Sequence, residues 1–239
     1  APFRFDTVGS FLRPENLKQA RQEYEKGNFS YQELKNFEDA AIRDLVKKEI
    51  EAGYKGITDG EFRRAYWHLD FFWGLGGIKR VQAETGYQFH DEVTKPDSAT
   101  VSAKIHGRNH PFIAHYTFLR DLVADNDEVE ARITIPSPSQ LYFELIRDEE
   151  HVEQLNSVYS NFDDVVEDIS KAYLEVIQQL FDEGLRTLQV DDCTWGILVD
   201  DNFLTLWGQG RDKEEVRREL AATFLRLNNA VYKNVPEGL

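Results

Sequence analysis

The sequence predicts an α/β fold, specifically a (β/α)8 TIM barrel of which these 239 residues cover about the first half. Three observations lead there. Short apolar runs alternate with long segments of helical periodicity, which implies a parallel sheet with right-handed crossovers. No Gly-x-Gly-x-x-Gly or Walker loop follows any of the apolar runs, which weakens an open nucleotide-binding sheet. Each predicted strand ends in a polar loop, and in a barrel those ends share one rim.

The elements follow in order. Phe5-Asp6-Thr7-Val8 reads as a first strand closing in a Gly9-Ser10 turn. Pro14 opens a helix in whose first turn a missing N–H costs nothing; the helix carries Leu17, Ala20 and Tyr24 and stops near Gly27-Asn28. Ser30 with Glu33 three residues on forms a capping box for a second helix. Leu34, Phe37, Ala41, Leu45, Val46 and Ile50 recur along it at helical spacing, and Gly53 ends it. Gly56 to Thr58 is the second strand. From residue 74 to 111 the helical periodicity fades. Val81, Tyr87, Phe89, Val93, Val101, Ala103 and Ile105 suit a hairpin-like excursion, an insertion or lid within the domain. A helix then runs through Phe112, Tyr116, Leu119 and Leu122. Ala131 to Ile135 is the third strand, with Pro136-Ser137-Pro138-Ser139 as its terminal loop. A long helix spans about Phe162 to Glu183, with Val165, Ile169, Ala172, Tyr173, Val176, Ile177 and Leu180 on one face. Gly184 closes it, Thr187 to Val190 is the fourth strand, and Lys213 to Tyr232 is the last helix. There is no internal repeat, so residues 1–239 read as a single catalytic barrel domain. The ending Asn234-Val235-Pro236-Glu237-Gly238-Leu239 reads as a helix-to-strand loop, and a further strand is expected beyond Leu239.

Composition narrows the function. A hydrophobic fraction of 41% suffices for a core, and a net charge of -15 spread over the chain argues against nucleic acid as a partner. No apolar run approaches membrane-spanning length, and the N-terminus lacks the apolar core of a signal peptide. The single cysteine, Cys193, excludes an internal disulfide and suits a reducing, cytoplasmic setting. The chain contains no methionine, which is unusual at this length. The expectation is that methionine positions are missing and some spacings are a residue short.

The most informative stretch is Gly56-Ile57-Thr58-Asp59-Gly60-Glu61-Phe62-Arg63-Arg64, with Tyr66, Trp67, Phe71, Phe72 and Trp73 close behind. Charge beside aromatic surface at a strand end suggests a small-molecule site. Val8-Gly9-Ser10 offers backbone N–H groups and a hydroxyl for a ligand carboxylate, although an ordinary strand-to-helix turn uses the same residues. Glu61 and Asp191 accept hydrogen bonds only, when ionised. On one rim they could hold an ammonium, act as an acid/base pair or bind a metal; alternatively Glu61 pairs with Arg63 or Arg64 as a structural salt bridge. Asp192 reads as a helix cap or surface carboxylate, and Cys193 as a small buried residue. The six histidines show no metal-ligand spacing; only His68, amid aromatics after Glu61, belongs near the site, where a structural role is equally consistent.

Four motifs in order resemble the cobalamin-independent methionine synthase family, in particular its C-terminal catalytic barrel and the shorter single-barrel bacterial relatives. They are Phe5-Asp6-Thr7-Val8-Gly9-Ser10-Phe11, Lys26-Gly27-Asn28-Phe29, Asp59-Gly60-Glu61-Phe62-Arg63-Arg64 and Leu188-Gln189-Val190-Asp191-Asp192. The resemblance implies methyl transfer from 5-methyltetrahydrofolate to the sulfur of homocysteine, giving methionine. It implies that Val8, Gly9 and Ser10 hold the amino-acid carboxylate, and that Glu61 and Asp191 hold its ammonium. Arg64, His68 and Trp195 are candidates for contacting the pterin or for supporting those groups; Trp195 or the Trp67 to Trp73 cluster stands in for a pterin-packing tryptophan that has no counterpart after Ser139. The family's zinc, which would lower the thiol pKa, takes ligands that fall beyond Leu239, as does its catalytic histidine. No metal ligand and no catalytic residue is therefore assigned within the 239 residues, and Cys193 matches none of them. Two alternatives keep the strand-end carboxylates: the same thiol acceptor with a corrinoid donor, or a metal-independent lyase or isomerase using Glu61 and Asp191. A non-catalytic half-barrel ranks last, because it would expose sheet edges.

Overall fold

The computed structural model describes residues 7–83 and 97–239. Phe5 and Asp6 of the first predicted strand, and Tyr87, Phe89 and Val93 of the predicted excursion, lie outside the described residues. In chain order the elements are α1 (Glu15–Glu25), α2 (Tyr31–Glu51), β1 (Gly56–Ile57), α3 (Leu69–Gly74), β2 (Gly76–Gln82), β3 (Asp97–His106), α4 (Phe112–Val123), β4 (Glu130–Ala131) and β5 (Ile133–Pro136). The chain continues with α5 (Pro138–Leu145), α6 (Glu149–Val158), α7 (Phe162–Asp182), β6 (Leu188–Asp191), α8 (Thr194–Ile197), α9 (Asp201–Gly208) and α10 (Lys213–Tyr232).

Helix starts follow capping chemistry. Ser30 and Glu33 close the expected reciprocal box at the start of α2. Pro14 stands one position earlier than expected, as the cap of α1. Tyr24 does not join the core; it is exposed and meets Tyr31 edge-on at 6.5 Å. Ser137 caps α5 and Pro138 occupies its first turn, so the predicted terminal loop at Pro136 to Ser139 is a helix start.

The parallel strands carry the site. β1 pairs with β4 and β5 pairs with β6, both parallel. Only Arg132 separates β4 from β5, and its backbone N–H donates to Ile57 O at 2.8 Å. Residues 130–136 thus act as one central strand between β1 and β6, with neighbours in sequence order as in a barrel wall. No closed barrel forms among the described residues. All four residues of β5 are buried, whereas all four of β6 are half-buried. Thr7 and Val8, expected in a strand, have no ladder partner among the described residues.

β2 and β3 form an antiparallel pair within the predicted 74–111 excursion. β3 packs on α6 and α7, so this part of the excursion is anchored to the body. α7 supplies the broadest apolar face: Val165, Ile169, Tyr173, Val176, Ile177 and Leu180 are buried along it. Each large apolar side chain buried in this way contributes about 1.5–3 kcal/mol.

Candidate functional site

The end of β1 is built from buried polar groups. Thr58 donates its N–H and hydroxyl to Glu49 beneath it, the hydroxyl at 3.2 Å. Burial pushes the Glu49 carboxyl up to about 7, helped by Asp59 and only partly offset by the Thr58 donors and by Arg132. Thr58 Oγ1 accepts from Gly60 N at 3.2 Å, and Asp59 Oδ1 accepts from Glu61 N at 2.9 Å. These bonds hold two consecutive residues in the left-handed region, Gly60 at φ 63° and Glu61 at φ 58°. A glutamate there is uncommon and strained, and such strain persists only where surrounding contacts over-determine it. Its effect is to aim the Glu61 carboxylate across the strand end.

Two arginines secure that aim. Arg64, 2% exposed, lies 3.5 Å from Glu61, donates to Thr134 O at 2.6 Å and to Trp67 O at 3.2 Å, and stacks on Phe112. Arg13 donates one nitrogen to both Glu61 O at 3.0 Å and Arg64 O at 2.8 Å. Arg63 faces away and pairs instead with Glu38 and Asp39. The structural pairing of Glu61 thus runs to Arg64 and not to Arg63.

Asp191, the last residue of β6, is brought into the field of Glu61. Burial pushes the Glu61 carboxyl above its usual range; Arg64 pulls it back, and Asp59 and Asp191 push it further up. Gln189 donates to Asp191 Oδ1 at 2.8 Å and accepts from Arg132 at 2.9 Å. Arg132 also donates to Thr7 O at 2.9 Å. A continuous polar chain therefore runs from the segment before Val8 to Asp191. Val8, 78% exposed, Gly9 at φ 78° and Ser10 follow on that segment. Phe11 N then donates to Gly60 O at 3.2 Å, which returns the chain to the Glu61 turn.

Asp192 does more than cap. It accepts from Thr194 N, Ser139 Oγ, Asn228 Nδ2 and the Trp195 indole N–H, the last at 2.9 Å. This ties the starts of α5 and α8 to α10 and fixes the Trp195 ring, 38% exposed, edge-on to Phe224. Cys193 corrects an expectation: it is exposed and not buried. Its surroundings push the thiol up, through partial burial and the carboxylates of Asp191 and Asp192, so it is no activated nucleophile.

His68 is buried beside Trp67 and Phe72, and burial lowers it to about 4, which leaves the ring neutral. Sequence reasoning passed over a second buried cluster. His151 bridges Asp148 at 2.6 Å and Ser98 at 2.8 Å, and the Ser98 hydroxyl donates to Glu144. The order of groups is that of a hydrolase, but Ser98 is fully buried and its proton is committed to Glu144, so the cluster pins β3 to α5 and α6. Among the described residues no group of three or more His, Cys, Asp or Glu could hold a metal ion, and no helix is long and apolar enough to cross a membrane.

Comparison with known proteins places this geometry. The sequence profile of the cobalamin-independent synthase catalytic domain matches residues 3–195. The uncharacterized Bacillus subtilis protein YxjG is 36% identical over 231 residues, covering 96% of this chain and 58% of its own. A methionine synthase of Saccharolobus solfataricus is 25% identical over 204 residues, covering 80% of this chain and 55% of its own. The crystal structure of a Listeria monocytogenes protein, described as a candidate vitamin-B12-independent methionine synthase, superposes with a TM-score of 0.75 at 33% identity. It covers 100% of this chain and 64% of that one. The chain spans a little over half the length of the curated relatives it matches.

Proposed function

The chain belongs to the family of cobalamin-independent synthase catalytic domains, and from that premise we propose that it supplies the amino-acid-binding face of a homocysteine S-methyltransferase. Family membership supports a methionine synthase-like methyltransferase acting on small molecules. The finer assignment is ours: homocysteine as acceptor, a 5-methyltetrahydrofolate as donor, and methionine as product. Val8, Gly9 and Ser10 would receive the substrate carboxylate, and Glu61 and Asp191 its ammonium.

The observation that carries this proposal is that Asp191, at the end of a different strand, acts on the buried Glu61 carboxylate, which Arg64 at its edge and Arg13 offset only in part. Two like charges brought together out of water raise one another's cost. A bound ammonium offsets that repulsion, so the site favours a cationic ligand group. Its binding should draw the Glu61 carboxyl back down toward its ordinary range.

Zinc supplies thiol activation when bound in this family. The described residues do not fit it, because no cluster of three suitable donors exists among them. The residues of this chain bind and orient the substrate. Trp195, with its ring fixed by Asp192, and Arg64 and His68 near the Glu61 turn, are the groups we assign to the donor side or to support of the carboxylates.

Isothermal titration of homocysteine into the full-length protein, with a donor panel of methylated folate and methylated corrinoid, tests the assignment. Saturable homocysteine binding that Glu61→Gln weakens at least tenfold is expected. No homocysteine binding would overturn it. Thiol-independent turnover lost in Glu61→Gln would instead favour the lyase or isomerase alternative, for which the raised Glu61 carboxyl is the supporting observation.

A further inference from the structure

We infer that Arg13 is a positioning residue that sets the distance between the carboxylate half and the ammonium half of the proposed amino-acid subsite. The inference rests on the amino-acid reading above and adds a residue that no motif assigned. The carboxylate and ammonium of an α-amino acid are attached to one carbon, so their separation is fixed. A receptor that reads both ends must hold its own halves at a matching separation, to within about 0.5 Å.

In this chain the two halves come from different segments. The Val8 to Ser10 turn precedes α1, and Glu61 follows β1. Two direct links join them. Phe11 N donates to Gly60 O at 3.2 Å. Arg13 Nη2 reaches both Glu61 O and Arg64 O. The second link does more than tether. Arg64 N already donates to Glu61 O at 3.0 Å, closing the turn from within. Arg13 caps both carbonyls of that turn from outside and so stabilises the left-handed backbone that aims Glu61.

Other charges around Arg13 fit this role. Glu61, Asp70 and Asp59 attract it and Arg21 repels it, so the guanidinium sits within the acidic face while its hydrogen bonds go to backbone. Arg13 leaves the carboxylate of Glu61 available, since the contact is to the Glu61 carbonyl. Both bonds come from one nitrogen whose N–H directions are fixed by the guanidinium plane, whereas a lysine ammonium rotates freely on its stem, so lysine keeps the charge and only part of the positioning.

Two measurements on the full-length chain test the inference. The first needs no ligand: amide hydrogen exchange at Phe11 and Arg64 in wild type, Arg13→Lys and Arg13→Ala. Faster exchange at both amides in Arg13→Ala is expected, with Arg13→Lys between; unchanged exchange overturns the inference. The second is titration with homocysteine, with 3-aminopropane-1-thiol, which lacks the carboxylate, and with 4-mercaptobutanoate, which lacks the ammonium. Arg13→Ala should weaken homocysteine by up to about 100-fold, the scale of a 1 Å misplacement, while each single-ended ligand changes less than about threefold. Equal weakening of all three ligands, or none, overturns the inference, since general loosening would not separate them. If wild type itself prefers homocysteine to neither fragment, the amino-acid reading fails, and the exchange data alone report on the turn. Should Arg13→Ala not fold, Arg13→Gln, with one donor group for one carbonyl, replaces it in both measurements.

Discussion

The ends of β1 and β6 present matching carboxylates but are built to different standards. At β1 every residue from Gly56 to Arg64 is buried, the backbone is held left-handed at two positions, and two arginines close the turn. At β6 every strand residue is half-buried, Asp191 leans on Gln189, and an exposed cysteine follows. The first end is preorganised by its own sequence. Among the described residues the second pairs on one side only, with β5. A binding site shared between them is therefore rigid on one side and adjustable on the other.

Removing one supporting side chain from each end should expose the difference most strongly on the β1 side. Arg64→Ala strands a buried carboxylate and removes the donor from Thr134 O and Trp67 O. Breaking a buried pair this way costs about 3–5 kcal/mol. Gln189→Ala at the β6 end removes neutral hydrogen bonds worth about 0.5–1.5 kcal/mol each. Urea denaturation of both variants checks the contrast; equal losses would mean that the β6 end is as firmly built as the β1 end.

The same contrast explains what the sequence revealed. The capping box at Ser30, the long helices α7 and α10 and the positions of the second to fourth predicted strands were readable because they depend on local spacing. Glu61 and Asp191 stood out because carboxylates directly after apolar runs are rarely neutral in meaning. Five helices escaped: α3, α5, α6, α8 and α9. α8 spans a single turn and α3 less than two, too short for periodicity, and α5 hid behind a Ser-Pro pair taken for a loop although serine cap and proline start are a helix signature. Arg13 and Arg132 were invisible for another reason. Arg13 reaches backbone carbonyls in the Glu61 turn, and Arg132 reaches a carbonyl and a glutamine, contacts to which no spacing in the sequence points. Cys193 was misjudged because cysteine is usually buried, whereas among the described residues it follows a strand that is only half-buried.

A pH titration sharpens the comparison from beneath β1. The folded-state value of Glu49 is about 7 against an ordinary 4.5. Between these values the folded protein holds a proton that the unfolded chain releases, so this group makes stability fall as pH rises from 4.5 to 7. His68, His110 and His115, lowered to about 4 from 6.5, act in the opposite direction as pH falls from 6.5 to 4. The difference between wild type and Glu49→Gln isolates the carboxyl. Glu49→Gln, whose amide oxygen can still accept from Thr58, should match wild type near pH 4.5 and become progressively more stable than it toward pH 7. A constant difference across that window, from denaturation at each pH, would show that Glu49 does not titrate there.

The smallest effect belongs to the open end. Cys193→Ser removes an exposed thiol that makes no hydrogen bond to the core, so its stability change should lie within about 0.5 kcal/mol. Reactivity is the more telling readout. The thiol is reachable, but partial burial, with the neighbouring carboxylates of Asp191 and Asp192, holds it above its ordinary value of 9.0. A disulfide reagent should therefore modify the folded protein completely but slowly at neutral pH, and faster as pH rises beyond 9. Because the same carboxylates set the thiol, an ammonium ligand seated at Asp191 should weaken their repulsion and lower the pH at which modification accelerates, even where it does not shield the sulfur. A thiol protected from the reagent without ligand would instead mean that the β6 end is covered as fully as the β1 end, and the division into a rigid and an adjustable half would fall.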